Sequence, residues 1–173
     1  MKIIFLDIDG VLNSRKYFVE THKGNLVCHK VYDYTKEEDL AKLQMLKIDF
    51  YKLQLLKEII RETDAKIVIT SAWRNLSDWT LIEEYLTNKG LPIIGTTQSF
   101  GSRGEEIIDY LGNHEEIDNY IIIDDDMFLD FYELENNLVK TNYDDGLTYE
   151  QVFDAIDMLN CKRLKKSKIN IEK

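Results

Sequence analysis

Three short apolar runs constrain this chain most. Ile3–Leu6, Ile67–Ile69 and Tyr120–Ile123 are each too short for a helix, and each stops abruptly at acidic or hydroxyl side chains. Continuous apolar runs of this length read as strands buried on both faces, the kind found in parallel sheets. The first ends in Asp7-Ile8-Asp9-Gly10, the second in Thr70-Ser71, the third in Asp124-Asp125-Asp126. In an open α/β sheet ligands bind at the carboxyl ends of the strands, so these three tips are expected to converge on one site.

Helical patterns alternate with the strands. Leu53, Leu56 and Ile60, flanked by Leu55 and Ile59, lie at helical spacing, with a break near Ile48–Phe50. Trp79, Ile82, Tyr85 and Leu86 form a second stripe, closed by Gly90 and Pro92. Thr35-x-x-Glu38, Ser102-x-x-Glu105 and Thr148-x-x-Gln151 are capping-box patterns that predict three helix starts. Short strands are expected at 92–95 and, at a sheet edge, at 138–140. Strands alternating with helices predict a Rossmann-like three-layer α/β sandwich around a mostly parallel sheet. The expected layout is one domain over residues 1–161, with a small flap or cap insertion at about 13–49 and a basic tail at 162–173.

The formal net charge of −10 argues against tight non-specific binding to nucleic acid. It leaves room for a small phosphorylated ligand at a site that carries its own metal. No apolar run approaches the roughly 20 residues of a membrane span. Asp7 cuts the first run far short of a signal-peptide core, so the cytoplasm is the expected compartment. Cys28 and Cys161 lack zinc-ligand spacing and read as reduced thiols.

Several carboxylates gathered at strand tips repel one another unless a cation compensates, and a hard divalent ion such as Mg²⁺ suits oxygen ligands. The pattern Asp-x-Asp-Gly also opens EF-hand calcium loops, but Val11 stands where such a loop needs a third Asp or Asn. One acidic strand end alone is commonly a loop cap; three polar ends together are not explained that way. Asp126 and Asp130 are read as a solvated acidic loop, and His22, His29 and His114 as surface or loop residues. Trp73 and Trp79 are read as packing.

Phe5-Leu6-Asp7-Ile8-Asp9-Gly10-Val11-Leu12 resembles the first motif of haloacid dehalogenase (HAD) superfamily phosphatases. Ile67–Ser71 is similar to the second motif and Ile121–Asp125 to the fourth. Thr70-Ser71-Ala72-Trp73-Arg74 and Gly146-Leu147-Thr148 resemble, more closely, small HAD domains found alone or in nucleic-acid repair proteins.

The resemblance implies a Mg²⁺-dependent phosphomonoester hydrolase working through an aspartyl-phosphate. Asp7 would be the nucleophile and Asp9 the acid/base. Asp7, Asp125, the backbone carbonyl of Asp9 and, at one remove, Asp124 would hold the metal. Thr70 or Ser71 would bind phosphate. Arg103 stands where the family more often has lysine, and Arg74 competes for its role.

No long cap follows, which implies an open site suited to nucleotides or, alternatively, to the 3′- or 5′-phosphate of a nucleic-acid end. Tyr17, Phe18, Tyr32 and Tyr34 in the insertion are candidates for contacting a base or for packing the flap. The rival from another class is a non-catalytic phospho-acceptor resembling a receiver domain.

Overall fold

The computed structural model describes residues 1–21, 36–126 and 133–161. Five strands form one sheet: β1 (Lys2–Leu6), β2 (Lys66–Ile69), β3 (Ile93–Thr96), β4 (Asn119–Asp124) and β5 (Leu138–Lys140). Their spatial order is β3-β2-β1-β4-β5, and every adjacent pair is parallel. The chain therefore builds outward from β1 in one direction and returns to its other side with β4. The crevice between β1 and β4 is the topological switch point, where such sheets bind ligands.

Six helices are described: α1 (Arg15–Thr21), α2 (Glu37–Met45), α3 (Phe50–Thr63), α4 (Trp79–Asn88), α5 (Arg103–Gly112) and α6 (Tyr149–Asn160). Successive strand residues point to opposite faces, and both faces here are dry. Ile4, Leu6, Ile67, Ile69, Ile121 and Ile123 pack with Leu53 and Leu56 of α3, Ile82 and Leu86 of α4, and Val152 and Leu159 of α6. Ile3, Phe5, Val68 and Ile122 pack on the other face with Ile107 of α5. This is the expected three-layer arrangement, with the sheet wholly rather than mostly parallel.

The local signals explain the helix ends. Asp49 caps α3 by accepting from the Tyr51 amide at 2.8 Å, so the break lies where the apolar stripe falters. Ser102 and Glu105 make a reciprocal capping box at the start of α5. Gln151 accepts from the Thr148 amide at 2.8 Å and so fixes the start of α6. One expectation is corrected. Lys36, with no side-chain cap, holds the N-cap position of α2. Thr35, the expected cap, lies outside the described residues, as do Tyr32, Tyr34, His22, His29, Cys28, Asp130 and the tail at 162–173. Among the described residues no helix is long and apolar enough to cross a membrane.

Candidate active site at the switch point

Ladder hydrogen bonds continue one residue past the strands and align their tips. The Asp7 amide donates to Ile123 O, the Thr70 amide to Leu6 O and the Thr141 amide to Asp124 O, all within 2.9–3.0 Å. Asp7, Thr70 and Asp124 are thereby fixed side by side by the same backbone bonds that make the sheet. All three are buried.

Carboxylate oxygens of Asp7, Asp124 and Asp125 lie within 4.8 Å of one another. Arg103, the first residue of α5, reaches in from the second layer. Its Nη1 donates to Asp7 Oδ2 at 2.9 Å and to Asp124 Oδ2 at 2.6 Å. The remaining Asp7 oxygen, Oδ1, accepts from the Ile8 amide at 2.8 Å. Burial works against the charge on Arg103, but Asp7 and Asp124 more than offset it and hold the guanidinium above its usual range. Burial, followed by the charge of Asp7, pushes Asp124 up to about 6 against the pull of Arg103. Asp125 is raised by the same two causes and by Asp126.

One guanidinium thus faces three close carboxylates, and the cluster remains short of positive charge. Mg²⁺ binds oxygen at about 2.0–2.1 Å, so any two of its ligands lie within about 4.2 Å. The trio, within 4.8 Å, lies close to that spacing. The donor set therefore fits a hard divalent cation.

Gly10 lets Asp125 come this close. Its φ is +63°, and a Cβ there would lie 2.2 Å from Asp125 Oδ2 and 2.5 Å from Asp125 Cβ. Rotating the Asp125 carboxylate cannot relieve the second contact. Gly10→Ala is expected to cost about 2–3 kcal/mol of folding free energy, from left-handed strain plus the clash. Urea denaturation checks this, and a variant within about 0.5 kcal/mol of wild type would show that the loop does not need glycine. The same loop is braced from behind. The Leu147 amide donates to Val11 O at 3.0 Å, and Gly146, with φ +67°, would place a Cβ 3.0 Å from that oxygen. The Gly146-Leu147-Thr148 segment is thus a backbone support for the Asp7–Gly10 loop.

The hydroxyl pair at the end of β2 divides. Thr70 Oγ1 is buried with no hydrogen-bond partner. Ser71 Oγ accepts from the Trp73 amide, which opens a short 3₁₀ turn. The two arginines divide as well. Arg74 donates through Nε to Thr97 O at 3.1 Å, through Nη1 to the carbonyls of Thr70 and Ser71, and through Nη2 to buried Glu106 at 2.5 Å. Burial lowers its basicity, against the raising effect of Glu106. Arg74 clamps the Thr70-Ser71 turn to α5, while Arg103 is the cation among the carboxylates.

Three contacts around Asp9 escaped the sequence reading. Trp73 packs in the core, as expected, but its Nε1 donates to Asp9 Oδ2 at 2.7 Å. Asn13 Nδ2 donates to Asp9 Oδ1, also at 2.7 Å, and Asn13 Oδ1 accepts from the Gly10 amide. Asp9 is exposed at the mouth of the site, and both of its oxygens are held. Asn13 sits at helical-turn distance from Asp9 in sequence, a signal that could have been used; nothing local connects Trp73 to Asp9, 64 residues earlier. His114 stacks on Tyr110 with ring centroids 3.9 Å apart, away from these carboxylates in the fold, at the far end of α5.

No curated protein matches the chain, nor does any solved structure. The family described as the HAD domain in Swiss Army Knife RNA repair proteins matches residues 3–152. That span is most of the 173-residue chain and includes every carboxylate, hydroxyl and arginine of the switch-point cluster. The chain belongs to that family, and so to the HAD superfamily of phosphatase-type hydrolases.

Proposed function

We propose that this chain is a Mg²⁺-dependent phosphomonoesterase that works through an aspartyl-phosphate on Asp7, with a nucleotide-type substrate. The observation that carries the reading is the placement of Asp7. One oxygen is pinned by the Ile8 amide and the other by Arg103, beside Asp124 and Asp125. A carboxylate held this way is oriented for attack on phosphorus.

In the first half-reaction Asp7 forms a bond to phosphorus as the bond to the leaving oxygen breaks. Asp9 gives that oxygen a proton. In the second, Asp9 takes a proton from water, the water oxygen bonds to phosphorus, and the acyl-phosphate bond breaks to release inorganic phosphate. Arg103 offsets negative charge on the transferring group, and the unpartnered Thr70 hydroxyl donates to one of its oxygens. A buried hydroxyl left unsatisfied costs about 1–3 kcal/mol, a cost that a phosphate oxygen would remove. Asp7, Asp125 and the Asp9 carbonyl would hold Mg²⁺, with Asp124 supporting. The ion supplies charge neutralisation between the phosphate and Asp7.

The test is release of inorganic phosphate from p-nitrophenyl phosphate. Wild type is expected to turn over with Mg²⁺ and to stop in EDTA, with recovery on adding the metal back. Asp9→Asn is expected to lose most of the rate. Absence of turnover with Mg²⁺ in wild type would instead favour a receiver-like acceptor. Trp73→Phe removes the N–H that holds Asp9 and leaves the ring's packing largely in place. Its kcat is expected to fall roughly tenfold, with a smaller change in KM. An unaltered kcat would mean that Asp9 needs no such hold.

A second substrate reading has its own support. The family's description places such domains in RNA repair proteins, which favours the terminal phosphate of a nucleic acid. The net charge of −10 counts the other way. Both substrates present the same chemical unit to the site, a phosphorylated nucleoside.

A further inference from the structure

Two charged side chains beside the site have no part in the chemistry above, although both are buried. Glu106, on α5, is 4% exposed. The side chain of Arg74, in the turn after β2, is 7% exposed. The two meet at 2.5 Å. All three guanidinium nitrogens of Arg74 are bonded within the protein, so this arginine is committed to the fold and not to a ligand.

The pair ties three segments together. At the end of β2, the carbonyls of Thr70 and Ser71 accept from Arg74 Nη1. Beyond β3, Thr97 O accepts from Arg74 Nε at 3.1 Å. The Thr97 hydroxyl and the Phe100 amide in turn donate to Glu106 at 3.2 and 3.3 Å. The third segment is α5, which carries Glu106 one helical turn after Arg103. The Thr97 amide also donates to Ile69 O at 3.0 Å. The ladder therefore already sets the end of β3 beside the end of β2, and α5 is the segment that the ladder does not place.

On the sheet, α5 rests through Ile107, packed with Ile3, Phe5, Val68 and Ile122. Apolar burial is non-directional, so it does not fix where a helix stops along its own axis. Arg103 does not fix it either, because its long side chain spans the gap to Asp7 and Asp124 in more than one helix position. Forked, charge-assisted hydrogen bonds are directional and do fix it. A buried ion pair adds little net stability over apolar groups of the same volume, which leaves geometry as its contribution. The geometry at stake is the spacing of two groups: the unpartnered Thr70 hydroxyl at the end of β2 and Arg103 at the start of α5.

We infer that the Arg74–Glu106 ion pair is a positioning device for the phosphate pocket, holding α5 in register with the end of β2 so that Arg103 and Thr70 grip the same phosphoryl group. Neither member touches the substrate; both act through the residues they hold. The inference rests on the phosphomonoesterase reading, and its test separates the two.

The first variant is Arg74→Lys. Lysine keeps a positive charge opposite Glu106, but a point charge without the fork does not serve the Thr70, Ser71 and Thr97 carbonyls together. With p-nitrophenyl phosphate and Mg²⁺, kcat is expected to fall roughly tenfold while KM stays within about threefold, because misplacement of groups that act on the transition state is read mainly in kcat. Urea denaturation gives the folded fraction, and rates are taken where every variant is folded. The second variant, Arg74→Met with Glu106→Gln, removes the pair without leaving a lone buried charge, so it folds where loss of one partner is most damaging. The same fall in kcat is expected. Retention of kcat by Arg74→Lys with loss in the double variant still supports the device, acting by charge without the fork.

The readout that a purely structural pair does not move is coupling to Thr70. In a Thr70→Val background the hydroxyl to be placed is gone, so Arg74→Lys is expected to cost less in kcat than it does in wild type. A double variant whose urea midpoint shifts while the kcat of the folded protein is unaltered overturns the positioning role and leaves the phosphatase reading intact. Losses at Arg74 and Thr70 that simply multiply do the same. Failure of wild type to release phosphate overturns the phosphatase reading, and the positioning role with it.

Discussion

Asp7→Asn is expected to abolish phosphate release, with a loss in kcat of at least ~10⁴-fold, the scale seen when a covalent nucleophile is removed. The substitution keeps the side chain's shape and the oxygen that accepts from the Ile8 amide. It removes the second anionic oxygen, the one paired with Arg103. The loss is thus chemical and not a packing defect, and the variant should melt cooperatively and still bind phosphorylated ligands. Steady-state phosphate release and a thermal melt check both halves. A residual kcat within about 100-fold of wild type would remove Asp7 from the role of nucleophile.

Arg103→Ala should show the next largest effect, on rate and on stability together. The guanidinium is the single described cation on Asp7 and Asp124, and Asp124 is fully buried. Removing one partner of a buried pair leaves the other charge uncompensated, at a cost of about 3–5 kcal/mol. Loss of a cation that offsets transition-state charge costs roughly 10²–10³-fold in kcat.

The sign of the pH dependence follows from Asp124. Its carboxyl is raised to about 6 even with Arg103 pulling it down, so without Arg103 it rises further. A group whose folded pKa exceeds its unfolded value leaves stability intact at low pH and costs stability as pH rises through the folded value. In EDTA the destabilisation by Arg103→Ala is therefore small near pH 4–5 and grows through and above pH 6. Mg²⁺ at pH 8 should return part of the stability, because a ligand that binds only the folded state stabilises it by mass action. Urea denaturation at pH 5 and pH 8, with and without Mg²⁺, checks this. A destabilisation independent of pH and metal would mean that Arg103 acts by packing alone.

The acidic tips were legible because three separate apolar runs each ended in chemistry-bearing side chains, and the rules for parallel sheets bring such ends to one edge. Arg103 was legible through its neighbour: Ser102-x-x-Glu105 marks a helix start, which put an arginine in the first turn. The competition between Arg103 and Arg74 was not decidable from the chain. Arg74 lies in the turn after β2 and Arg103 at the start of α5, and their difference depends on Glu106, which draws Arg74 onto α5, and on the depth at which α5 packs. Trp73 shows the limit more sharply. The ring reads from the chain as packing, which it is; the proton on its indole nitrogen found Asp9 only because β1 and β2 are neighbours in register, Leu6 opposite Ile69.

The amino-acid sequence by itself determined the layered α/β fold, the buried strands and the residue types at their tips, since these depend on hydrophobic periodicity and local capping, which act over a few residues. Tertiary structure alone decided which arginine meets the carboxylates, that Asp9 is held by Trp73 and Asn13, and that α1 is tied to the turn before α6. Those outcomes rest on hydrogen bonds between segments up to 129 residues apart, such as Arg15 and Asp144. Their geometry exists only once the sheet has set the register of the strands.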